Sequence, residues 1–333
     1  MKKFSIIWLL FILFLSCERE KSFQAESIIN DSVTVVNCPY DITEIIDDGT
    51  NRYYPKCINQ TNSGEIFIGG HSLLLSKIGN NWVDYSNLYA DTDFYIYEIY
   101  KDKDGALWFG STEGLMCYKN NTFINYDSEV EGHEVICFDE YPAGNLWFSL
   151  FAEDNLYKFD GTEFHKFMID EENNFSYSIL FFFDSMSNIW RFAYEGSSHI
   201  TLLRKYDGTL WTTIPIPESM YLTYFPFNFI DKNDALWVTT KERLYVYSDN
   251  SWNTPAEYNN THLTSPFQAS DGSYWFMVHD EEGISKISRY HNNIRTDYNT
   301  INNCPLVHYD FFEDIEGNIL VVGDFDGYIK IKN

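Results

Sequence analysis

The sequence predicts an all-β fold, a seven-bladed β-propeller of four-stranded antiparallel blades whose last blade is completed by an N-terminal strand. Three observations carry this expectation. A short pattern, clearest in "DGALWFGS" at 104–111, recurs seven times. Each copy is anchored by one large apolar residue: Phe67, Trp108, Trp147, Trp190, Trp237, Trp275 or Leu320. Successive anchors lie 41, 39, 43, 47, 38 and 45 residues apart, the length of one four-stranded blade. The runs around each anchor are short, aromatic and free of a helical period, as strands require.

The chain begins Met1-Lys2-Lys3 and runs largely apolar from Phe4 to Leu15. Lysines before a short apolar run follow the logic of a secretory signal. About a dozen apolar residues fall short of the roughly 20 that span a bilayer. Phe14-Leu15-Ser16-Cys17 resembles a bacterial lipobox. The resemblance implies cleavage before Cys17 and acylation at that residue. Residues 1–16 are then a lipoprotein signal peptide, 17–30 a lipidated tether and 31–333 the propeller. The expected location is the cell envelope, at the outer membrane, with the N-terminal lipid as the only membrane contact.

The formal net charge is −26, and −28 without residues 1–16. A chain this acidic repels phosphate backbones, which disfavours nucleic acid as a partner. Five cysteines follow Cys17: Cys38, Cys57, Cys117, Cys137 and Cys304. An odd number leaves at least one thiol outside any intramolecular pair. They form no CxxC pair, so no zinc site is expected.

Each repeat parses alike. A strand such as "EVICFDE" at 134–140 leads into a tight turn with Gly or a polar residue three before the anchor. The anchor strand follows, then a loop, then a strand such as "RLYVYSD". A turn rich in Asn, Asp and Gly leads to the last strand, as in "NTFINY". Asp102, Asp184, Asp231 and Asp314 each stand six before an anchor. A short carboxylate there can accept backbone N–H bonds of the turn, a structural role. The seventh repeat stops at "GYIKIKN", without a fourth strand. "DSVTVVN" at 31–37 is the expected closing strand, sparing the blade an open edge.

The second repeat carries Asp102, Gly105, Leu107, Trp108, Phe109, Gly110, Gly114, Leu115, Tyr118, Phe123 and Tyr126. This set resembles the two-component-regulator propeller repeat. The resemblance implies the exported sensing part of membrane histidine kinases of Bacteroidetes, which responds to glycans. No transmembrane, kinase or DNA-binding region is evident after the repeats, so the expectation is the sensing module alone.

No GxSxG, HExxH or phosphate-cradling glycine loop is present, so no catalytic residue, metal or cofactor is assigned. The anchors, one per blade, read as packing between blades. Ligand binding is expected on the rim where inner strands begin and anchor strands end. In the first three blades the candidates are Tyr53, Tyr54, His71, Tyr95, Glu113 and His133. Further round they are Tyr177, Glu195, Tyr221, Tyr224 and Arg243, then His262, His279, His308 and Tyr309. Aromatic rings and carboxylates together suit a glycan, with an envelope protein as the other expected partner. The alternatives are a propeller glycoside hydrolase or polysaccharide lyase, and a scaffold within an outer-membrane assembly.

Overall fold

The computed structural model describes the strands Ile28–Asn30, Val33–Val36 and Tyr40–Glu44. From residue 54 onward it describes all but 92, 132, 141–144, 152, 154, 168–179, 196–199, 219, 221–227, 241–242, 255–261, 280–284, 293, 300–309, 324–326 and 333. Seven sheets form seven blades, each with four antiparallel strands. The inner strands are Tyr54–Gln60, Ile96–Lys101, Val135–Glu140, Phe181–Phe183, Asn228–Ile230, His262–Gln268 and Asp310–Glu313. The anchors lie on the second strands, Ile66–His71, Leu107–Ser111, Leu146–Leu150, Ile189–Glu195, Leu236–Thr239, Tyr274–His279 and Ile319–Val322.

The closing strand differs from expectation. Tyr40–Glu44 takes the outermost place of the last blade, antiparallel to Gly327–Ile331, with Ile42 opposite Ile329. Val33–Val36 instead lies parallel to Ile294–Asn299, on the outside of blade 6, and pairs with Ile28–Asn30. Both segments alternate apolar and polar residues over four positions, "SVTV" at 32–35 and "YDIT" at 40–43, so alternation alone does not choose between them.

The hydrophobic core is divided among the seams. Each of seven buried clusters joins two neighbouring blades, and each contains one anchor. Trp108 meets Phe159 of blade 3 with ring centroids 5.3 Å apart, and Trp237 stacks on Tyr274 of blade 6 at 4.2 Å. Leu320 joins blade 7 to Ile58 and Ile68 of blade 1, closing the ring. The anchors are 0–8% exposed. No single blade can bury both its faces, so the side chains between blades supply most of the stability.

The aspartates before the anchors bind turn and seam together. One oxygen of Asp102 accepts the N–H groups of Asp104 and Ala106 at 3.0 and 2.8 Å. The other accepts the indole N–H of Trp108 at 2.9 Å. Asp184 and Asp231 repeat all three bonds, reaching Trp190 and Trp237 at 2.9 Å. Asp314, whose anchor Leu320 has no donor, takes Lys330 Nζ at 2.9 Å instead. The turn needs a positive φ three residues after the aspartate, +85° at Gly105 and +62° at Asp234. Glycine and aspartate tolerate that angle better than most residues.

A second set of bonds crosses the seams on this turn face. The residue seven before an anchor often ends in a carboxylate or amide that accepts an N–H from the preceding blade's turn. Glu140 takes Lys103 N at 2.7 Å, Gln268 takes Lys232 N at 3.0 Å and Gln60 takes Ile315 N at 2.9 Å. Glu313 takes both Ser270 N and Ser270 Oγ at 2.6 Å. Glu313→Ala is expected to cost about 1–2 kcal/mol, because two donors lose a charged acceptor. Urea unfolding would show a lower midpoint with an unchanged slope.

Candidate functional site

The rim opposite these turns gathers side chains from blades 1 to 3. The inner strands of these three blades each carry a bulge at the same place: between Pro55 and Cys57, Ile96 and Glu98, and Val135 and Cys137. The extra residues are Lys56, Tyr97 and Ile136. A bulge re-aims its side chain and interrupts the ladder. Here it leaves Tyr97, on an otherwise well-covered strand, 38% exposed.

Tyr97 ends a ladder of rings. His71 stacks on Tyr95 at 4.7 Å and 17°, and Tyr95 on Tyr97 at 6.1 Å and 26°. The ladder is held from several sides. Tyr95 exchanges bonds with Thr112, its N–H donating to Thr112 Oγ1 and its carbonyl accepting Thr112 N–H, both at 2.9 Å. Below it, Phe94 is buried and stacks on Tyr89 at 4.2 Å. Glu113 fixes the loop before the ladder by accepting Ala90 N and Asp91 N at 2.8 and 2.6 Å. His71 Nε2 pairs with Asp93 Oδ1. Tyr97 donates its hydroxyl to Glu134 Oε2 at 2.6 Å. Burial, then Glu134 beside it, pushes the Tyr97 phenol up, so it stays a neutral donor.

Blade 3 continues the site. His133 Nε2 stands 3.6 Å from Glu153 Oε1. Glu153 also accepts Tyr157 Oη at 2.9 Å and Lys166 Nζ at 3.2 Å. Burial would raise the Glu153 carboxyl, but these donors outweigh it and hold it below its usual value. Phe151, 45% exposed, hangs from the Glu134 carbonyl by its N–H at 2.8 Å.

Deeper on the inner strands, carboxylates bridge to the next blade's backbone. Asp310 Oδ2 takes Ile58 N at 3.1 Å, Glu98 Oε2 takes Phe138 N at 3.0 Å, and Asp139 Oδ2 takes Phe183 N at 2.8 Å. Desolvation pushes these carboxyls up to about 7, 8 and 6, with the bonded N–H groups pulling the other way. Cys57, Cys117 and Cys137 are buried free thiols. Burial raises the Cys117 thiol to about 12, so it is protonated and unreactive at neutral pH. Among the described residues, no group of three or more His, Cys, Asp or Glu side chains is arranged to hold a metal.

Of the rim residues expected from sequence, the structure brings together His71 and Tyr95, with Glu113 bracing the loop before them, while His133 lies on blade 3 next to Glu134, which bonds Tyr97. Across the ring, His279 meets Thr264 Oγ1 at 3.2 Å in blade 6, and Arg243 closes a turn with Thr240 in blade 5. The backbones of Tyr54, Glu195 and His262 lie in strands, with Tyr54 opposite His71 and His262 opposite His279. Tyr53, Tyr177, Tyr221, Tyr224, His308, Tyr309 and the lipidation residue Cys17 lie outside the described residues. Sequence reasoning passed over Asp93, Tyr97, Glu134, Phe151 and Glu153. No helix among the described residues is long and apolar enough to cross a membrane.

On the turn face, Phe183 and Ile230 occupy the position seven before an anchor, and their side chains carry no acceptor. Asp234 takes over between blades 4 and 5, accepting Ser185 N at 2.8 Å. A cleft of about 270 Å³ opens there, bordered by Asp139, Asp184, Asp231 and Lys232.

Residues 90–113, which include Tyr95, Tyr97 and Trp108, match the sequence model of the two component regulator propeller family. Solved structures share the fold. Virginiamycin B lyase from Staphylococcus aureus is 17% identical with a TM-score of 0.66, over 88% of this chain and 99% of the lyase. The extracellular domains of two B. thetaiotaomicron two component systems, BT4673 and BT3049, are 17% and 15% identical, with TM-scores of 0.68 and 0.69. These cover 88% and 89% of this chain, which spans only 39% and 41% of theirs. At such identities the likeness establishes the fold. No curated protein matches the chain in sequence.

Proposed function

We propose that this propeller, which carries a two component regulator propeller repeat at residues 90–113, is an extracytoplasmic binding module for a saccharide seated on the rim of blades 1 to 3. One observation carries the reading: the His71–Tyr95–Tyr97 ladder, pre-formed and edged by carboxylates. A sugar ring has an apolar C–H face that an exposed aromatic ring covers, and hydroxyls around its edge. Asp93 and Glu134 stand where such hydroxyls would donate. Aromatic surface with a few placed polar groups is the usual composition of a small-ligand site. The likeness in fold to extracellular domains of two component systems supports a binding role and an exported location. In this reading Cys17 carries the lipid that tethers the module to the envelope.

The test is calorimetry against plant and host oligosaccharides. Tyr97→Ala is expected to weaken the bound saccharide at least tenfold while moving the melting temperature by no more than about 2 °C, since the ring is exposed. Unchanged affinity in that variant removes the rim site. An enzymatic reading draws on the likeness in fold to virginiamycin B lyase. Release of product from any bound saccharide, abolished by Glu134→Gln or His133→Ala, would replace binding with catalysis. A stoichiometric envelope protein co-purifying in place of any saccharide would favour the partner reading.

A further inference from the structure

The charges around the ladder are unequal. Carboxylates come from Asp91 and Asp93 in the loop before it, Glu113 beneath that loop, and Glu134 and Glu153 on blade 3. Asp93 leaves its side chain 80% exposed beside His71. Among the described residues, the cations on this side include Lys56, the extra residue of the blade 1 bulge, and Lys166, which is held by Glu153. Both histidines sit against a carboxylate, His71 against Asp93 and His133 against Glu153. Beyond the site, the whole chain carries −26. Like charges brought together at a protein surface repel, and the summed field acts on any ligand approaching.

Resting on the binding reading above, we propose that this rim selects saccharides by charge. It accepts neutral and amine-bearing sugars and excludes uronates and sulfated sugars. A ring lying on the outer face of Tyr97, at the end of the ladder, has Glu134 at the Tyr97 hydroxyl and Asp93 at the other end of the ladder, beside His71. A hydroxyl can donate to either carboxylate. An ammonium group at the same place gains an ion pair and faces the aromatic rings, which attract cations. A carboxylate or sulfate there has two negative charges to oppose. Glu113 adds to the negative field while both its oxygens accept backbone N–H groups, of Ala90 and Asp91.

The experiment immobilises the full chain and measures binding of β-1,4-linked glucose, glucosamine and galacturonate oligomers, chondroitin sulfate fragments and neutral plant oligosaccharides. Binding is expected only among neutral and amine-bearing probes, with the amine-bearing ones weakened by added salt. The double variant Asp93→Asn, Glu134→Gln should cut any preference for glucosamine over glucose at least fivefold. A galacturonate or sulfated probe that binds, and loses binding in Tyr97→Ala, overturns the charge selection while leaving the rim site standing. Silence from every probe overturns both.

Discussion

Trp275→Ala is expected to destabilise the fold by about 3–5 kcal/mol, the range for truncating a fully buried aromatic. The indole is 1% exposed and stacks on Tyr298 at 5.5 Å and 12°. It belongs to the cluster that joins blade 6 to Phe311, Ile319 and Ile329 of blade 7. Its N–H donates to Ser273 Oγ at 3.0 Å, and the Arg289 guanidinium lies over the ring at 5.6 Å. Truncation would leave a cavity on a seam and remove the indole donor from the serine oxygen, whose hydroxyl still donates to Asp271 Oδ1 at 2.6 Å. Trp275→Phe keeps most of the stack and should cost less than half as much. Denaturant unfolding followed by circular dichroism measures both. A loss below about 1 kcal/mol for Trp275→Ala would mean that the anchor is not what binds the seam.

Thermal stability is expected to peak near pH 5 and to fall by a few degrees by pH 8.5. Glu98, Asp310 and Asp139 have folded-state values of about 8, 7 and 6, pushed up mainly by desolvation. A carboxyl whose value is higher folded than unfolded binds its proton more tightly in the fold. Its contribution is therefore full below the unfolded value near 4 and is lost as the pH rises through the folded value. The acid limb has the opposite sign. Burial would raise Asp184 and Asp314, but their bonds to Trp190, Asn188, Lys205 and Lys330 outweigh it and hold both low. That support is present above pH 4 and disappears as the pH falls through their folded values. Glu98→Gln with Asp310→Asn keeps an acceptor oxygen for Phe138 N and Ile58 N while removing the ionisation. The melting temperature of this variant should fall clearly less than the parent's between pH 5 and 8.5, with Asp139, whose folded-state value is about 6, supplying the slope that is left. Such a reduced slope also separates the inner-strand acids from general repulsion, since the variant removes only two of 49 acidic residues. An alkaline slope unchanged from the parent would exclude these residues as its source.

The blades were legible in the sequence because a propeller repeats its constraints. A large side chain must fill each seam, so Phe67, Trp108 and their counterparts recur at blade spacing. The tight turn must be stitched, so aspartate recurs six before the anchor. The indole bond to that aspartate also leaves a signal, since Asp102, Asp184 and Asp231 each precede a Trp while Asp314 precedes Leu320. The position seven before the anchor went unread, because Gln60, Glu140, Gln268 and Glu313 alternate with Lys101, Phe183 and Ile230. The closing strand was misplaced by a few residues because both N-terminal segments look like strands and both alternate apolar and polar residues over four positions.

The site was less legible because it does not repeat. His71 and Tyr95 were visible as aromatic residues near strand ends. Tyr97 was not, since a bulge shifts register by one residue and leaves no mark in a single sequence. Glu134 reaches Tyr97 across 37 residues of chain. With 49 acidic residues to choose from, nothing in the sequence distinguishes it.

Hydrogen exchange in the presence of a saturating saccharide tests the central claim most directly. The amides of residues 93–98 and 133–136 should slow on binding, while those of the opposite turns, 185–188 and 232–235, stay unchanged. Protection confined to the turn face, or absent from the blade 1 to 3 rim, would contradict the account.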